Sequence, residues 1–322
     1  MLDFYGTLGP KCSDAETIAG MLKNGMTGMR LNLSHVTLPE ASPQVEALHA
    51  AERLTGIKAK LLIDMQGPEL RIGALPEPLV LTEGERAALS AIPFPEIAAP
   101  YLMPGREILL DDGKILLRVC DGGAAEVLRG GRLTGRKSVS IPGADIRPPV
   151  MTAADVENLR CAAHYGVTGV MQPFVRGADD LRALRAAMDE LCGGGVRLLA
   201  KIENLDGVNA LDELIPECDE IVIARGDLGN AVPLWELPAL QKRIAAKCRA
   251  AGKPFMVVTQ MLASMEQSPV PTRAEVSDVY NAVLDGASSL MVTGETAVGD
   301  HPAETIEYLV KTAYSALKNT EA

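Results

Sequence analysis

The chain has 322 residues, enough for one large domain or for a large domain that carries a smaller one. Its net charge of −11 argues against nucleic acid as a partner, because phosphate backbones are bound by basic surfaces. The six cysteines form no Cys/His cluster, no apolar run reaches membrane-spanning length, and the N-terminal segment MLDFYGTLGP does not resemble a signal peptide. We therefore expect a cytoplasmic globular protein with reduced thiols, no nucleic-acid partner and no membrane contact.

Short apolar runs recur along the chain, and most are followed by a helical pattern. The eight runs are Phe4–Leu8, Gly28–Leu33, Ala59–Asp64, Val167–Gln172, Val196–Ile202, Glu220–Ala224, Phe255–Thr259 and Ser288–Thr293. Helical patterns include Asp14–Lys23, Ala153–His164, Ala178–Leu191, Leu237–Ala251 and Ala274–Leu284. Continuous apolarity indicates strands that are buried on both faces. Strands that alternate with helices in this way predict a (β/α)8 TIM barrel of the α/β class.

One gap between successive runs is too long for a loop. About a hundred residues separate the third run from the fourth, whereas connections in compact domains are mostly short. The gap is rich in proline and contains strand-like pieces at Glu107–Leu110, Ile115–Cys120 and Ala125–Arg129. The sequence therefore predicts a small all-β domain at 72–142, inserted after strand three, and a barrel formed by 1–71 and 143–322.

Polar residues at the predicted strand ends carry the chemistry, because barrel active sites gather at the carboxyl ends of the strands. Lys201 lies at the end of the fifth run and Glu203 directly follows it, and the two face the same way because they are two residues apart. Asp227 follows the sixth run, next to a glycine. Alone, a Lys-x-Glu is most often a surface ion pair and a Gly-Asp most often a turn. At successive strand ends, the two motifs together favour a functional site at the mouth of the barrel. The carboxylates of Glu203 and Asp227 would suit Mg²⁺ or Mn²⁺ there.

The second and third runs end in a further polar set. Arg30, Asn32 and Ser34 alternate onto one face, and the third run adds Asp64 and Arg71. A planar guanidinium suits a phosphate. The amide and hydroxyl oxygens suit a monovalent cation or a nucleotide.

Glu275 and Glu295, two acidic residues of the last fifth of the chain, can each be explained by a structural role. Thr272 and Glu275 have the spacing of a capping box, which predicts the start of a helix. Glu295 follows the eighth run, where a catalytic role and a loop-bracing role are equally good interpretations.

Together these motifs resemble pyruvate kinase, in the right order and over nearly the whole chain. The matching stretches are TLGP at 7–10, MRLNLSH at 29–35, DMQGPELR at 64–71, DDG at 111–113, KIEN at 201–204, ARGDLG at 224–229, TQMLASM at 259–265, PTRAE at 271–275 and GETAVGDHP at 294–302. The resemblance implies a (β/α)8 barrel with a β-rich lid after strand three. It also implies glycolytic phosphoryl transfer between phosphoenolpyruvate and ADP to give pyruvate and ATP.

The resemblance implies roles for individual residues. The catalytic residues would be Lys201, Thr259 and Arg30; the substrate-binding residues Gly226, Asp227, Thr259 and Arg30; and the ligands of Mg²⁺ or Mn²⁺ Glu203 and Asp227. A K⁺ ion would be bound by Asn32, Ser34, Asp64 and the Met65 carbonyl. The nucleotide would be bound by Pro10, Asn32, His35, Arg71, Asp112 and Lys137, although His35 is an equally plausible loop residue without a ligand.

Some features depart from the family pattern. Gln66 stands where the family usually has Lys, and Pro173 stands where it usually has Ser. The lid is shorter than usual, and we expect the chain to lack the family's C-terminal domain and the effector site that belongs to it.

Two other functions stay open. One is a metal-dependent aldolase or decarboxylase that acts on pyruvate enolate without a nucleotide, and the other is a weakly active or non-catalytic paralogue. Lys201 and Lys137 favour phosphoryl transfer, because the nucleotide-free reactions have no evident use for them. The nucleotide preference and a homo-oligomer formed through the barrel also stay open.

Overall fold

The structure is a computed structural model that describes residues 2–34, 36–111, 113–144 and 146–320. The chain divides into two compact units, of which unit 1 comprises Met1–Gly67 and Val150–Ala322 and unit 2 comprises Pro68–Pro149. The domain bounds expected from the sequence, 72–142 for the insertion, stay a prediction.

The helices and strands follow one another along the chain from unit 1 into unit 2 and back. Unit 1 begins with β1 (Asp3–Thr7), α1 (Ala15–Lys23), β2 (Gly28–Asn32), α2 (Ser42–Thr55) and β3 (Lys60–Asp64). Unit 2 contains β4 (Leu79–Leu81), β5 (Arg86–Ala88), β6 (Glu107–Leu110), β7 (Ile115–Val119), β8 (Ala124–Arg129), β9 (Gly131–Leu133) and β10 (Val139–Ser140). Unit 1 continues with α3 (Ala153–Cys161), β11 (Gly169–Gln172), α4 (Ala178–Leu191), β12 (Arg197–Ile202), α5 (Leu205–Asn209), α6 (Leu211–Leu214), β13 (Glu220–Ala224), α7 (Arg225–Ala231), α8 (Leu237–Ala250), β14 (Phe255–Val258), α9 (Arg273–Leu284), β15 (Ser289–Met291), α10 (Gly294–Ala297) and α11 (Pro302–Thr320). Within the described residues, no helix combines the length and the apolarity needed to cross a membrane.

The parallel strands of unit 1 close into a barrel. Their order is β1-β2-β3-β11-β12-β13-β14-β15, and β15 pairs back to β1. The (β/α)8 barrel predicted from the apolar runs is therefore confirmed. The runs are continuously apolar because one face of each strand packs against the helices and the other lines the barrel interior.

The barrel interior is an apolar core with charged ends. Tyr5 lies in the apolar layer with Leu62, Met171, Leu199, Val222, Ala224, Met256, Val258 and Met291. A Cβ at Gly28 would lie 2.5 Å from Tyr5 Cε1, so only glycine leaves room for this ring on β2. Toward the amino ends of the strands, Lys60 pairs with Asp3 at 2.6 Å, and Arg197 pairs with Glu220 at 2.9 Å.

Unit 2 is built from antiparallel strands around a core of its own. It has a five-stranded sheet in the order β10-β6-β7-β8-β5 and a two-stranded sheet of β4 and β9. Burial alternates along β7, as expected for a sheet with one covered face. The core includes Ile108, Leu110, Ile115, Leu117 and Val127.

Candidate active site

Four charged side chains meet at the carboxyl end of the barrel. Arg30 lies in β2, Asp64 ends β3, Lys201 lies in β12, and Glu203 follows β12. Arg30 Nε donates to Asp64 Oδ2 at 2.8 Å, and Lys201 Nζ lies 3.0 Å from that oxygen. Lys201 Nζ also lies 2.9 Å from Glu203 Oε1. The structure thus brings together four residues that the sequence places at three separate strand ends.

Lys201 and Asp64 hold opposite charges although both are buried. Burial opposes a charge on Lys201, but the carboxylates of Asp64 and Glu203 outweigh it and raise the pKa of the ammonium group. Burial also favours a neutral Asp64, but Lys201 and Arg30 outweigh it and lower the pKa of that carboxyl. At neutral pH the barrel mouth therefore contains a fixed Lys201 cation beside a fixed Asp64 anion.

The pKa of the Glu203 carboxyl is raised, whereas that of Asp64 is lowered. Burial raises the pKa of its carboxyl, Lys201 lowers it, and the negative charges of Asp227 and Asp64 raise it further. Its Oε2 accepts a hydrogen bond from the backbone N–H of Phe174 at 2.8 Å. Phe174 has a φ of 51°, a left-handed conformation that is uncommon without glycine. No sequence motif points to this contact, because the donor is a backbone amide.

The donor set of Glu203 and Asp227 fits a divalent cation. Asp227 raises the pKa of Glu203, so the two negative charges repel each other, and a cation bound by both would relieve that repulsion. Mg²⁺ typically takes one or two protein carboxylates and completes its octahedron with substrate phosphate and water. Among the described residues, no group of three or more His, Cys, Asp or Glu side chains is arranged to hold a metal ion. The candidate site at Glu203 and Asp227 therefore depends on two protein carboxylates.

The oxygens assigned to potassium lie in one corner of the barrel mouth. Asn32 and Asp64 are register partners on β2 and β3, and Met65 follows Asp64 directly. Ser34 Oγ donates to Asn32 Oδ1 at 2.8 Å. An all-oxygen set of this kind suits a hard cation. Binding would exchange the Ser34–Asn32 hydrogen bond for contacts to the ion.

The loops after β13 and β14 approach each other closely. Gly226 and Asp227 lie in the first turn of α7, where backbone N–H groups are not used by intrahelical hydrogen bonds. A Cβ at Gly226 would lie 3.2 Å from Thr259 Cγ2, so the glycine lets Thr259 lie next to this turn. Three of the four residues predicted to bind the substrate, Gly226, Asp227 and Thr259, are thus brought together.

Comparison with known proteins assigns the chain to a family. The barrel-domain model of pyruvate kinase matches residues 3–306. The chain belongs to the pyruvate kinase family. It is 34% identical to a pyruvate kinase of Sporosarcina psychrophila over 325 residues, which cover 95% of this chain and 55% of that relative. It is 36% identical to pyruvate kinase 1 of Saccharomyces cerevisiae (97% and 66% covered) and 39% identical to a pyruvate kinase of Corynebacterium efficiens (92% and 65% covered). The chain spans about half to two thirds of the length of these relatives.

Gln66 and Pro173, which we expect to depart from the family pattern, lie near one another. The backbone N–H groups of Gln66 and Gly67 donate to the Asp155 carboxylate at 2.8 and 3.0 Å. Thr152, which caps α3, donates its hydroxyl to Gln66 Oε1 at 3.3 Å. A Cβ at Gly67 would lie 2.5 Å from Pro173 Cγ. Gln66 therefore braces the start of α3 and adds no charge to the site. The Thr-x-x-Asp spacing of Thr152 and Asp155 is the sequence signal that could have predicted the capping role of Asp155.

Pro10 is one of the residues of unit 1 that the family resemblance assigns to nucleotide binding, and neighbouring elements hold it in place. It begins the 3-10 helix Pro10–Cys12, which Leu8 and Gly9 separate from β1. A Cβ at the preceding Gly9 would lie 2.5 Å from the carbonyl oxygen of Ala297 in α10, so this loop packs tightly against the α10 helix. His35 lies outside the described residues.

In unit 2, the residues predicted to bind nucleotide are already ion-paired. Lys137 Nζ lies 2.8 Å from Asp111 Oδ1, and Arg71 Nη2 lies 2.5 Å from Glu69 Oε2. Asp112 lies outside the described residues. The assignment of Lys137 and Arg71 to a nucleotide stays a prediction.

Glu295 braces a loop. It is 1% exposed, and its carboxylate accepts the backbone N–H groups of Leu262 at 3.1 Å and Thr293 at 2.6 Å. These contacts tie the start of α10 to the segment after β14. Of the two interpretations that the sequence left open, the loop-bracing one agrees with these contacts.

Proposed function

We propose that the chain transfers a phosphoryl group between phosphoenolpyruvate and ADP, giving pyruvate and ATP. The observation that carries the proposal is the buried Lys201 ammonium at the carboxyl end of the barrel, 2.9 Å from Glu203 and 3.0 Å from Asp64. Membership of the pyruvate kinase family supports it.

Lys201 and Arg30 are proposed to bind and stabilise the transferring group. Phosphoryl transfer depends on positioning and on neutralising negative charge more than on covalent assistance. Lys201 keeps its proton because two carboxylates raise its pKa. Arg30 presents a planar guanidinium, which suits phosphate oxygens, and an incoming phosphate would share it with Asp64.

The proposed cofactors are Mg²⁺ (or Mn²⁺) at Glu203 and Asp227, and K⁺ at Asn32, Ser34, Asp64 and the Met65 carbonyl. The divalent ion would neutralise charge on the phosphoryl and enolate oxygens. The nucleotide is proposed to be bound by Pro10, Asn32, His35, Arg71, Asp112 and Lys137. A cytoplasmic location stays part of the proposal.

Thr259 is proposed to serve the second half of the reaction. The backbone N–H groups of Gly226 and Asp227, together with Thr259, would bind the substrate carboxylate and fix its orientation. After the phosphoryl group leaves, the enolate takes a proton at carbon. A water hydrogen-bonded by the Thr259 hydroxyl would supply it.

The test is pyruvate release from phosphoenolpyruvate, measured with and without ADP in the presence of Mg²⁺ and K⁺. We expect ADP-dependent release that Lys201→Met lowers by about 100- to 1000-fold, since one preorganised charge at the reacting group is lost. Lys60→Met is the matched control, because Lys60 is an ion-paired lysine at the opposite end of the same barrel. It should retain turnover.

Other outcomes would move the assignment elsewhere. Turnover of a pyruvate-enolate substrate that does not require ADP would favour an aldolase or decarboxylase. Binding of metal and phosphoenolpyruvate without any release would favour a non-catalytic member of the family.

A further inference from the structure

Arg225 links two loops of the candidate active site to a barrel helix. It is the first residue of α7, directly after β13, and its side chain is 12% exposed. Its Nε and Nη2 both donate to the backbone carbonyl of Thr259, at 3.1 and 2.7 Å. Its Nη1 donates to both carboxylate oxygens of Asp278 in α9, at 2.9 and 2.6 Å. The guanidinium is thus held on one side by α9 and holds the Thr259 backbone on the other.

The backbone that Arg225 holds is in an unusual conformation. Thr259 and Gln260 have φ values of 84° and 53°, so two successive residues without glycine are left-handed. Such conformations persist where the surroundings determine them, and they cluster at functional sites. The contact from Arg225 to the Thr259 carbonyl is one such determinant, since two N–H groups converge on a single oxygen.

The strained backbone also determines where the Thr259 side chain points. A Cβ at Gly226 would lie 3.2 Å from Thr259 Cγ2 and 3.7 Å from its Oγ1, so the hydroxyl lies against the first turn of α7. Rotation of the Thr259 peptide would move the hydroxyl away from this turn. Arg225 precedes Gly226 directly, so the same short segment holds the Thr259 carbonyl and contacts its side chain.

We propose that Arg225, oriented by Asp278, is a positioning residue that fixes Thr259 for protonation of the enolate. This inference rests on the proposed function. Arg225 itself exchanges no proton and contacts no reacting atom; it acts through the Thr259 backbone. A lysine cannot replace it, because one ammonium lacks the planar fork that bonds a carbonyl with two N–H groups and a carboxylate with others.

A double-mutant cycle tests the inference. kcat and KM for phosphoenolpyruvate are measured for the wild type, Arg225→Lys, Thr259→Ala and the double variant. We expect Arg225→Lys to lower kcat by about 10- to 100-fold, as a displaced catalytic group does, while KM changes much less. The double variant should be no slower than Thr259→Ala alone, because Arg225 has no role once the hydroxyl is absent.

Two further measurements separate positioning from general stability. Arg185→Met removes another Arg–Asp pair, in which Arg185 of α4 lies 2.8 Å from Asp219 before β13, and it should leave kcat unchanged. Asp278→Asn should lower kcat in the same direction as Arg225→Lys, and Mn²⁺ should bind both variants as it binds the wild type.

The outcomes distinguish this inference from the function on which it rests. A wild type that releases no pyruvate overturns both. An active wild type with an equally active Arg225→Lys variant, or with effects of Arg225 and Thr259 that multiply independently, overturns only the role of Arg225.

Discussion

Glu203 is the residue on which the metal proposal depends most. Its carboxylate is bonded to the Phe174 amide and paired with Lys201, yet burial raises its pKa, and the negative charges of Asp227 and Asp64 add to that effect. The ionised form of Glu203 is therefore less favourable here than in water. A divalent cation bound by Glu203 and Asp227 would stabilise that ionised form.

We predict that Glu203→Gln weakens Mn²⁺ binding by about 10- to 100-fold, because one of two anionic ligands becomes neutral. Binding is measured by calorimetry or by the paramagnetic resonance of free Mn²⁺, without substrate. The matched control is Glu220→Gln, which changes a buried glutamate at the opposite end of the barrel. Equal Mn²⁺ affinity of the wild type and Glu203→Gln would contradict the assignment of this ligand.

At the scale of elements, α9 begins with a capping box that reaches beyond its own helix. Thr272 and Glu275 exchange the expected hydrogen bonds, which confirms the helix start predicted from their spacing. The Glu275 carboxylate also accepts the backbone N–H of Ser264 at 2.7 Å and its hydroxyl at 2.5 Å. One carboxylate therefore holds both the helix and the loop that follows β14.

This carboxylate gives a pH-dependent contribution to stability. Burial favours the neutral acid, but hydrogen bonds from Ser264 and Thr272 outweigh it and lower the pKa of Glu275 below its ordinary 4.5. A lowered folded-state pKa means that the stabilisation is present above pH 4.5 and is lost as the pH falls through the folded-state value.

We predict that Glu275→Gln lowers the free energy of unfolding by about 1 kcal/mol at pH 7, the usual size of a cap interaction. The difference from the wild type should shrink as the pH falls below 4.5, because the wild-type carboxyl then also becomes neutral. Urea unfolding at several pH values measures it. A difference that does not vary with pH would show that the charge is not what stabilises the cap.

At the scale of the whole molecule, closure of the barrel depends on how its interior is filled. Tyr5 is completely buried, and Gly28 on the adjacent strand leaves the space that its ring occupies. The burial of the Tyr5 hydroxyl, and secondarily the charges of Asp3 and Glu220, raise its pKa far above the ordinary value, while Arg197 lowers it. Tyr5 therefore stays neutral and contributes mainly as a large packed ring.

We predict that Gly28→Ala lowers the free energy of unfolding by about 1–3 kcal/mol, as overpacking of a core does. The added Cβ would lie 2.5 Å from Tyr5 Cε1 and 2.7 Å from the Lys60 carbonyl oxygen. Gly20→Ala is the matched control with the opposite sign. Among the described residues, its Cβ would come within 4 Å only of Ala303 Cβ, at 3.8 Å, and alanine in helix α1 should add about 0.5–1 kcal/mol. Chemical unfolding of both variants measures the contrast, and an undestabilised Gly28→Ala would mean that the barrel interior is looser than described.

The sequence by itself determined the barrel and most of its strands, because a strand buried on both faces must be apolar along its whole length. Glu220–Ala224 is a strand with the bounds that its apolar run predicts. Other strands differ from the predicted bounds where a backbone group forms its hydrogen bond outside the sheet. The fourth run begins at Val167, but its N–H bonds to the Ala162 carbonyl in the turn after α3, so β11 begins at Gly169.

The sequence also placed Lys201, Glu203 and Asp64 at the mouth of the barrel, because parallel strands present their carboxyl ends on one side. Only the tertiary structure decided which groups hold these residues in place. The Phe174 amide on Glu203 and the Arg225 guanidinium on the Thr259 carbonyl join positions 29 and 34 residues apart. Both contacts use backbone groups, which nearly all residue types carry, so residue identity contains almost no signal for them until the fold determines the distances.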